Sequence, residues 1–378
     1  MQTTRRHFIF AAVTAFFVFL GPLSPGFSAR PVSEELPGQL TDDAFWTMVT
    51  EFSEPGGHFR SDNFVSNEAT FQYVLKGLEK TKPGGVYLGV GPDQNFTYIV
   101  AMKPKLAIIF DIRRQNAMQH LMYKALIEMS SDRADFLSKL FSRKRPEGLG
   151  TESSSEDLFT AYAQVEPDRQ MFLRNFEAIR KRLKEDHKFT LSSDDEASIH
   201  YVYSSFYVGG PDLTYNGVTG FGRTRMPSYG ELMAATDEDG VNRGYMGTEK
   251  NFRALQDFEN RNLIVPVVGD FAGPKAIRAV ATYLKEHDAF VSAFYLSNVE
   301  QYLFQQDDDW GKFYRNVQML PTDVTSTFIR SVFNNAVAFQ PSGFDLRSAS
   351  LLSSISELLR AFRAGEVRSY YDVINLSK

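Results

Sequence analysis

Short unbroken apolar runs alternate along this chain with stretches in which apolar residues recur every three or four positions. Val86-Tyr87-Leu88-Gly89-Val90 and Leu106-Ala107-Ile108-Ile109-Phe110 are of the first kind, the pattern of strands buried on both faces. Between them, Asp93 to Met102 reads as a short helix. After the second run, Met118, Leu121, Met122, Ala125, Leu126 and Met129 fall at helical spacing. Ahead of the first run, Ser66 opens a predicted helix with Phe71, Val74, Leu75 and Leu78 on one face, ended by Lys82-Pro83-Gly84-Gly85. Strand, helix, strand, helix is the order of a parallel sheet covered by helices.

The alternation stops between residues 136 and 260. A helix is expected after Pro167, with Phe172, Leu173, Phe176, Ile179 and Leu183 on one face. Asp194-Asp195-Glu196 reads as an acidic helix start followed by a strand, and the stretch from Tyr201 to Tyr245 as irregular chain rich in glycine and aromatics. Strand patterning resumes at Leu263 to Asp270 and again at Ala289 to Leu296. Between them, Gly273 and Pro274 lead into a helix carrying Ile277, Val280, Ala281 and Leu284. A helix with Leu351, Ile355, Leu358, Leu359 and Phe362 and a last strand from Tyr370 to Leu376 complete the pattern. The expected fold is therefore α/β: a doubly wound, mostly parallel sheet with a large, mainly helical or irregular insertion after the second strand. Its two parts would be residues 29–135 and 261–378, with the insertion or cap at 136–260.

The first 28 residues form a different pattern. Arg5 and Arg6 precede an apolar stretch from Phe8 to Leu20, and Gly21, Pro22, Pro25, Gly26, Ser28 and Ala29 form a small-residue exit. This is the layout of a secretory signal peptide, and the paired arginines before Phe8 fit a twin-arginine signal read by the export machinery. Periplasmic or exported location is expected, with an uncleaved leader anchored in the inner membrane as the alternative.

Composition narrows the chemistry. None of the 378 residues is cysteine, which excludes disulfides, thiolate metal sites and cysteine nucleophiles. With 41 basic and 46 acidic side chains the net charge is −5, against the basic face of a nucleic-acid binder. The six histidines show no metal-binding spacing, and no G-x-S-x-G elbow is present, so neither a metal nor a serine hydrolase is expected.

Candidate chemistry gathers at strand ends. In Leu88-Gly89-Val90-Gly91-Pro92-Asp93-Gln94-Asn95, the glycines allow a tight turn and a close ligand approach, and Asp111 closes the next strand where a carboxylate can accept ribose hydroxyls. These residues resemble the class I S-adenosylmethionine-dependent methyltransferases over residues 60–130 and 260–305. The resemblance implies S-adenosylmethionine held at Gly89, Gly91, Asp93 and Asn95, with its ribose on Asp111 and its adenine beside Asp270. It places Tyr295 and Asn298 opposite the reacting methyl group of a small-molecule substrate. It departs from the family at Asp93, where a third glycine is usual, and at Tyr87, where an acid is usual.

Asn63 and Glu68 are read either as sitting over the cofactor's charged end, Glu68 pairing with its ammonium group, or as an ordinary helix start capped by Ser66. Arg113, Arg114 and Asn116 are read as anion or substrate ligands or as a solvated helix start. Tyr215 and Tyr229 are read as lid residues over a substrate or as packed loop. Because S-adenosylmethionine is a cytoplasmic metabolite, the leader keeps two other readings open: a non-catalytic periplasmic binding protein on the same fold, and a periplasmic dinucleotide-dependent oxidoreductase.

Overall fold

The computed structural model describes residues 35–217, 226–333 and 348–377, so the leader lies outside the described residues. One six-stranded sheet organises them: β1 (Val86–Val90), β2 (Leu106–Asp111), β3 (Ile264–Val268), β4 (Val291–Ser297), β5 (Thr322–Phe333) and β6 (Ser348–Ser354). Their spatial order is β3-β2-β1-β4-β5-β6. The first five run parallel, and β6 closes the sheet antiparallel to β5, with Ile329 opposite Leu352. The chain is α/β with a mostly parallel sheet, compatible with a Rossmann-like fold.

Every residue of β1, β2 and β3 is buried, which is why these strands are unbroken apolar runs in the sequence. Pro266 sits within β3, where its missing N–H costs little because β3 is the edge of the sheet. Neighbours β2 and β4 lie on opposite sides of β1: the chain runs outward from β1 through β2 to β3 and then crosses back to β4. That arrangement opens a crevice at the carboxyl ends of the strands.

Between β2 and β3 the chain forms seven α-helices among the described residues. The first, Arg114–Glu128, is buried from Asn116 to Ile127 and packs against β2 and β3. The last, Glu249–Asn260, lies against it. Between these two, Phe141, Phe159, Phe206 and Tyr229 make a ring cluster with centroids 5.2 to 6.0 Å apart.

Four elements differ from expectation, each for a local reason. The helix expected from Ser66 is one turn, Leu75–Leu78, preceded by turns, although Phe71, Val74, Leu75 and Leu78 are buried as their spacing implied. The strand expected after Glu196 is absent because Ser192 and Asp195 form a reciprocal capping box that starts an uninterrupted helix, Ser193–Gly209. Tyr370–Asn375 is a helix rather than a strand, again begun by a capping box, between Ser369 and Asp372. Leu351 belongs to β6, and the following helix begins at Ile355 behind its Ser354 cap.

Candidate functional site

A cavity of about 390 Å³ lies at the carboxyl ends of β1 to β4. Gly91 follows β1, Asp111 ends β2, Asp270 follows β3, and Tyr295, Ser297 and Asn298 close β4; all six line it. Asn63, Glu68 and Tyr215 line it from other segments, as do Phe59 and Tyr302, whose rings meet edge to face at 5.2 Å. Eight of the residues singled out from sequence thus meet in one place.

Gly91 has φ +77°, and no atom lies within 4 Å of where a Cβ would stand. A left-handed glycine beside open space lets a ligand approach the backbone. Behind it, His120 lies 2.8 Å through Nε2 from the Gly91 carbonyl, and burial draws its pKa down to about 4. A neutral ring therefore donates Nε2–H there, which fixes the loop. The sequence offered no distinct signal for His120, which shares its helix face with Asn116, Tyr123 and Lys124.

Glu68 is 1% exposed. Its carboxylate accepts from Gln94 Nε2 at 2.7 Å, from Tyr295 Oη at 2.8 Å and from Ser297 Oγ. Ser66 bonds the other end of the Gln94 carboxamide. All of these donors are neutral, and no lysine or arginine lines the cavity among the described residues. A buried carboxylate in that setting is solvated by dipoles without a counter-charge. Asn63, at φ +52°, has a buried Oδ1 with no partner. Asp270 forms a turn with the Ala272 amide; its pKa lies above the usual carboxylate value because of burial, partly opposed by that bond.

Asp111 is held by its own neighbour. Arg113 donates Nε to Oδ1 at 3.1 Å and Nη2 to Oδ2 at 2.9 Å, and the Arg113 amide adds a third bond at 2.8 Å. The same guanidinium bonds the carbonyls of Ser61, at 2.8 Å, and Asp62. Arg113 is therefore a clamp that fastens the Ser61–Asp62 segment to the end of β2 rather than an anion ligand. Arg114 is likewise taken, by Asp195.

Other expected ligands face elsewhere. Gly89 is packed: a Cβ there would fall on the Asn95 carboxamide oxygen and within 2.8 Å of the Tyr87 ring. Asn95 accepts from Tyr87 Oη at 2.9 Å and donates to the carbonyls of Val90 and Pro92 at 2.9 and 2.7 Å, so it braces the glycine loop from behind. Asp93 is turned away from the cavity into the helices beyond β2, where Tyr245 donates to it. Asn116 is buried with neither amide atom partnered and does not line the cavity. Tyr229, fully buried and 2.6 Å from Tyr245 Oη, is core and cannot serve as a lid. Tyr215 does line the cavity, and burial raises its phenol to about 12. The residues from 218 to 225 in the expected lid lie outside the described residues.

Among the described residues, no histidine and acid cluster could hold a metal ion, and no helix is long and apolar enough to cross a membrane. A family model described as Domain of unknown function (DUF7790) matches residues 63–360, and the chain belongs to that family. The matched span includes every cavity residue named above except Phe59. No curated protein matches the chain.

Proposed function

We propose that the protein binds S-adenosylmethionine in this cavity and acts as a methyltransferase on a small molecule. One observation carries the reading: Gly91, Asp111 and Asp270 follow or end β1, β2 and β3 and line a single cavity with Tyr295 of β4 and Asn298 just after it. The sheet order, five parallel strands with an antiparallel strand next to β5, is in keeping with it. The residues fit such a ligand on physical grounds. Gly91 leaves room at the backbone, and Asp270, after β3, adds a carboxylate to the same wall of the cavity.

In this reading Gly91 and Asp111 take the ribose side and Asp270 the base side. The segment 136–260 is an insertion that caps the sheet, and the leader delivers the folded protein outside the cytoplasm. The bound cofactor supplies an electrophilic methyl sulfonium. Tyr295 and Asn298 would align the acceptor with it, and Phe59, Tyr215 and Tyr302 would exclude water. Alignment in a dry site contributes most of the rate in such a transfer. In the G-x-G-x-x-G loop of a dinucleotide site, which begins at Gly89, the third glycine would be Gln94, and its ties to Ser66 and Glu68 disfavour a pyrophosphate there.

A second reading, non-catalytic ligand binding, is favoured by the Asp111–Arg113 pair, which occupies a carboxylate expected to be free for a ribose. Calorimetric titration of the mature protein with S-adenosylmethionine and S-adenosylhomocysteine decides whether the site takes this cofactor. Micromolar binding that weakens at least tenfold in Asp270→Ala is expected; no heat with either compound overturns the proposal. Saturation without turnover of any acceptor supports the second reading.

A further inference from the structure

We infer that the acceptor is a primary or secondary amine whose nitrogen sits between Glu68 and Asn298. This rests on the methyltransferase reading and adds the substrate class. The partners of Glu68 are Tyr295 and Ser297, at the end of β4, together with Gln94 at the start of the helix Gln94–Met102. Its carboxylate therefore stands beside Asn298, on the acceptor edge of the cavity, rather than with Asp111 and Asp270 under the ribose and base.

Three features of that edge select a cation that can donate hydrogen bonds. First, Glu68 is 1% exposed and hydrogen-bonded only by neutral groups, so its charge is uncompensated until a positive group arrives. Second, Asn63 lines the same cavity and its buried Oδ1 has no donor, and an ammonium brings up to three. Third, the lining carries the rings of Phe59, Tyr215, Tyr295 and Tyr302, whose faces attract a cation, as Arg113 over Phe59 and Arg60 over Tyr302 already show. A carboxylate or phosphate acceptor would meet Glu68 and Asp270 with no described lysine or arginine in the lining to hold it.

The step balances with these groups. Glu68 takes one proton from the bound ammonium and frees the nitrogen lone pair. The lone pair attacks the methyl carbon, and the carbon–sulfur bond breaks with both electrons remaining on sulfur. The products are a methylated ammonium and a neutral thioether, and Glu68 releases its proton to solvent.

The test uses benzylamine, benzyl alcohol and benzoate as probes of equal size, titrated calorimetrically into the mature protein saturated with S-adenosylhomocysteine. Benzylamine is expected to bind at least tenfold more tightly than benzyl alcohol, with benzoate weakest. Glu68→Gln, which keeps one of the two acceptor oxygens and removes the charge, is expected to erase the preference for the amine, and Glu68→Asp to retain it. Binding of S-adenosylhomocysteine by Glu68→Gln reports that the site is folded. Equal binding of the three probes, or an undiminished preference in Glu68→Gln, overturns the inference. So does competition between benzylamine and S-adenosylhomocysteine, or loss of S-adenosylhomocysteine binding in Glu68→Gln with the thermal melt unchanged, since either gives the carboxylate to the cofactor. Failure of the methyltransferase reading is separable: the wild-type protein would then bind no S-adenosylhomocysteine, and a Glu68-dependent amine preference measured without it would still support the cation seat.

Discussion

Tyr245 donates its phenol hydroxyl to the buried carboxylate of Asp93 at 3.0 Å, linking the turn after β1 to the chain that leads into the helix Glu249–Asn260. Tyr229 stands next in line, 2.6 Å from Tyr245, and the second oxygen of Asp93 has no partner. The glycine loop and the helices beyond β2 are thus joined through one acid and two phenols.

That acid makes stability depend on pH. Burial raises the Asp93 pKa from 3.8 to about 7 against the lowering effect of the Tyr245 bond. A carboxyl raised on folding stabilises the native state fully below its unfolded value, and this contribution is lost as pH climbs through the folded value. Between pH 5 and pH 8 the wild type should therefore lose about 2–3 kcal/mol that Asp93→Asn does not lose. Urea unfolding of both proteins at the two pH values checks this; parallel pH profiles would refute it.

Arg113 and Asp111 are each 7% exposed at the side chain and bound in two places. Removing one partner leaves the other charged and buried, whereas removing both leaves neither. Arg113→Met should lower the unfolding free energy by about 3–5 kcal/mol, and Asp111→Asn/Arg113→Met should recover part of the loss. The recovery is incomplete because Arg113 also anchors the Ser61 and Asp62 carbonyls. A double-mutant cycle by chemical denaturation measures the coupling.

The two glycines after the first strand should separate cleanly. Gly89→Ala puts a methyl onto the Asn95 carboxamide and the Tyr87 ring, an overpacking expected to cost about 1–3 kcal/mol. Gly91→Ala meets no atom but adopts φ +77°, a strain of roughly 1–2 kcal/mol, and narrows the backbone approach to the cavity. Ligand affinity should fall chiefly in Gly91→Ala. Paired melting and binding titrations distinguish the two.

How far the sequence exposed this structure follows from what burial does to composition. β1 to β4 were legible because strands covered on both faces must be apolar throughout. β5 was not, since it opens on Thr322-Asp323-Val324-Thr325, none of them buried, and in β6 four of the seven residues are serine and the adjacent Leu351 and Leu352 are half-buried. In the site, residues at strand ends converge whatever their side chains do, so Gly91, Asp111, Asp270 and Tyr295 could be placed in advance. Direction could not be read. Asp93 stands two residues from Gly91 yet faces the opposite way, and Arg113 spends its charge on Asp111. Only the fold decides such orientations.

Glu128 carries the last prediction. Its side chain is 1% exposed and meets Lys124 at 2.7 Å, Arg182 at 2.8 Å and His187 Nε2 at 2.7 Å, while Asp42 takes the other nitrogen of His187 at 2.8 Å. Burial pushes the Glu128 pKa up, but the hydrogen bonds and charges of His187 and Lys124 outweigh it and bring the value from 4.5 down to about 2. A carboxyl lowered on folding contributes its stability above the unfolded value and loses it as pH falls through the folded one. At neutral pH Glu128→Gln should therefore cost about 3 kcal/mol, a deficit that begins to shrink below pH 4.5 and is nearly gone at pH 2. Acid titration of the folded fraction, followed by tryptophan fluorescence for wild type and variant, should show the two curves converging; a constant offset would mean that the hydrogen bonds matter and the charge does not.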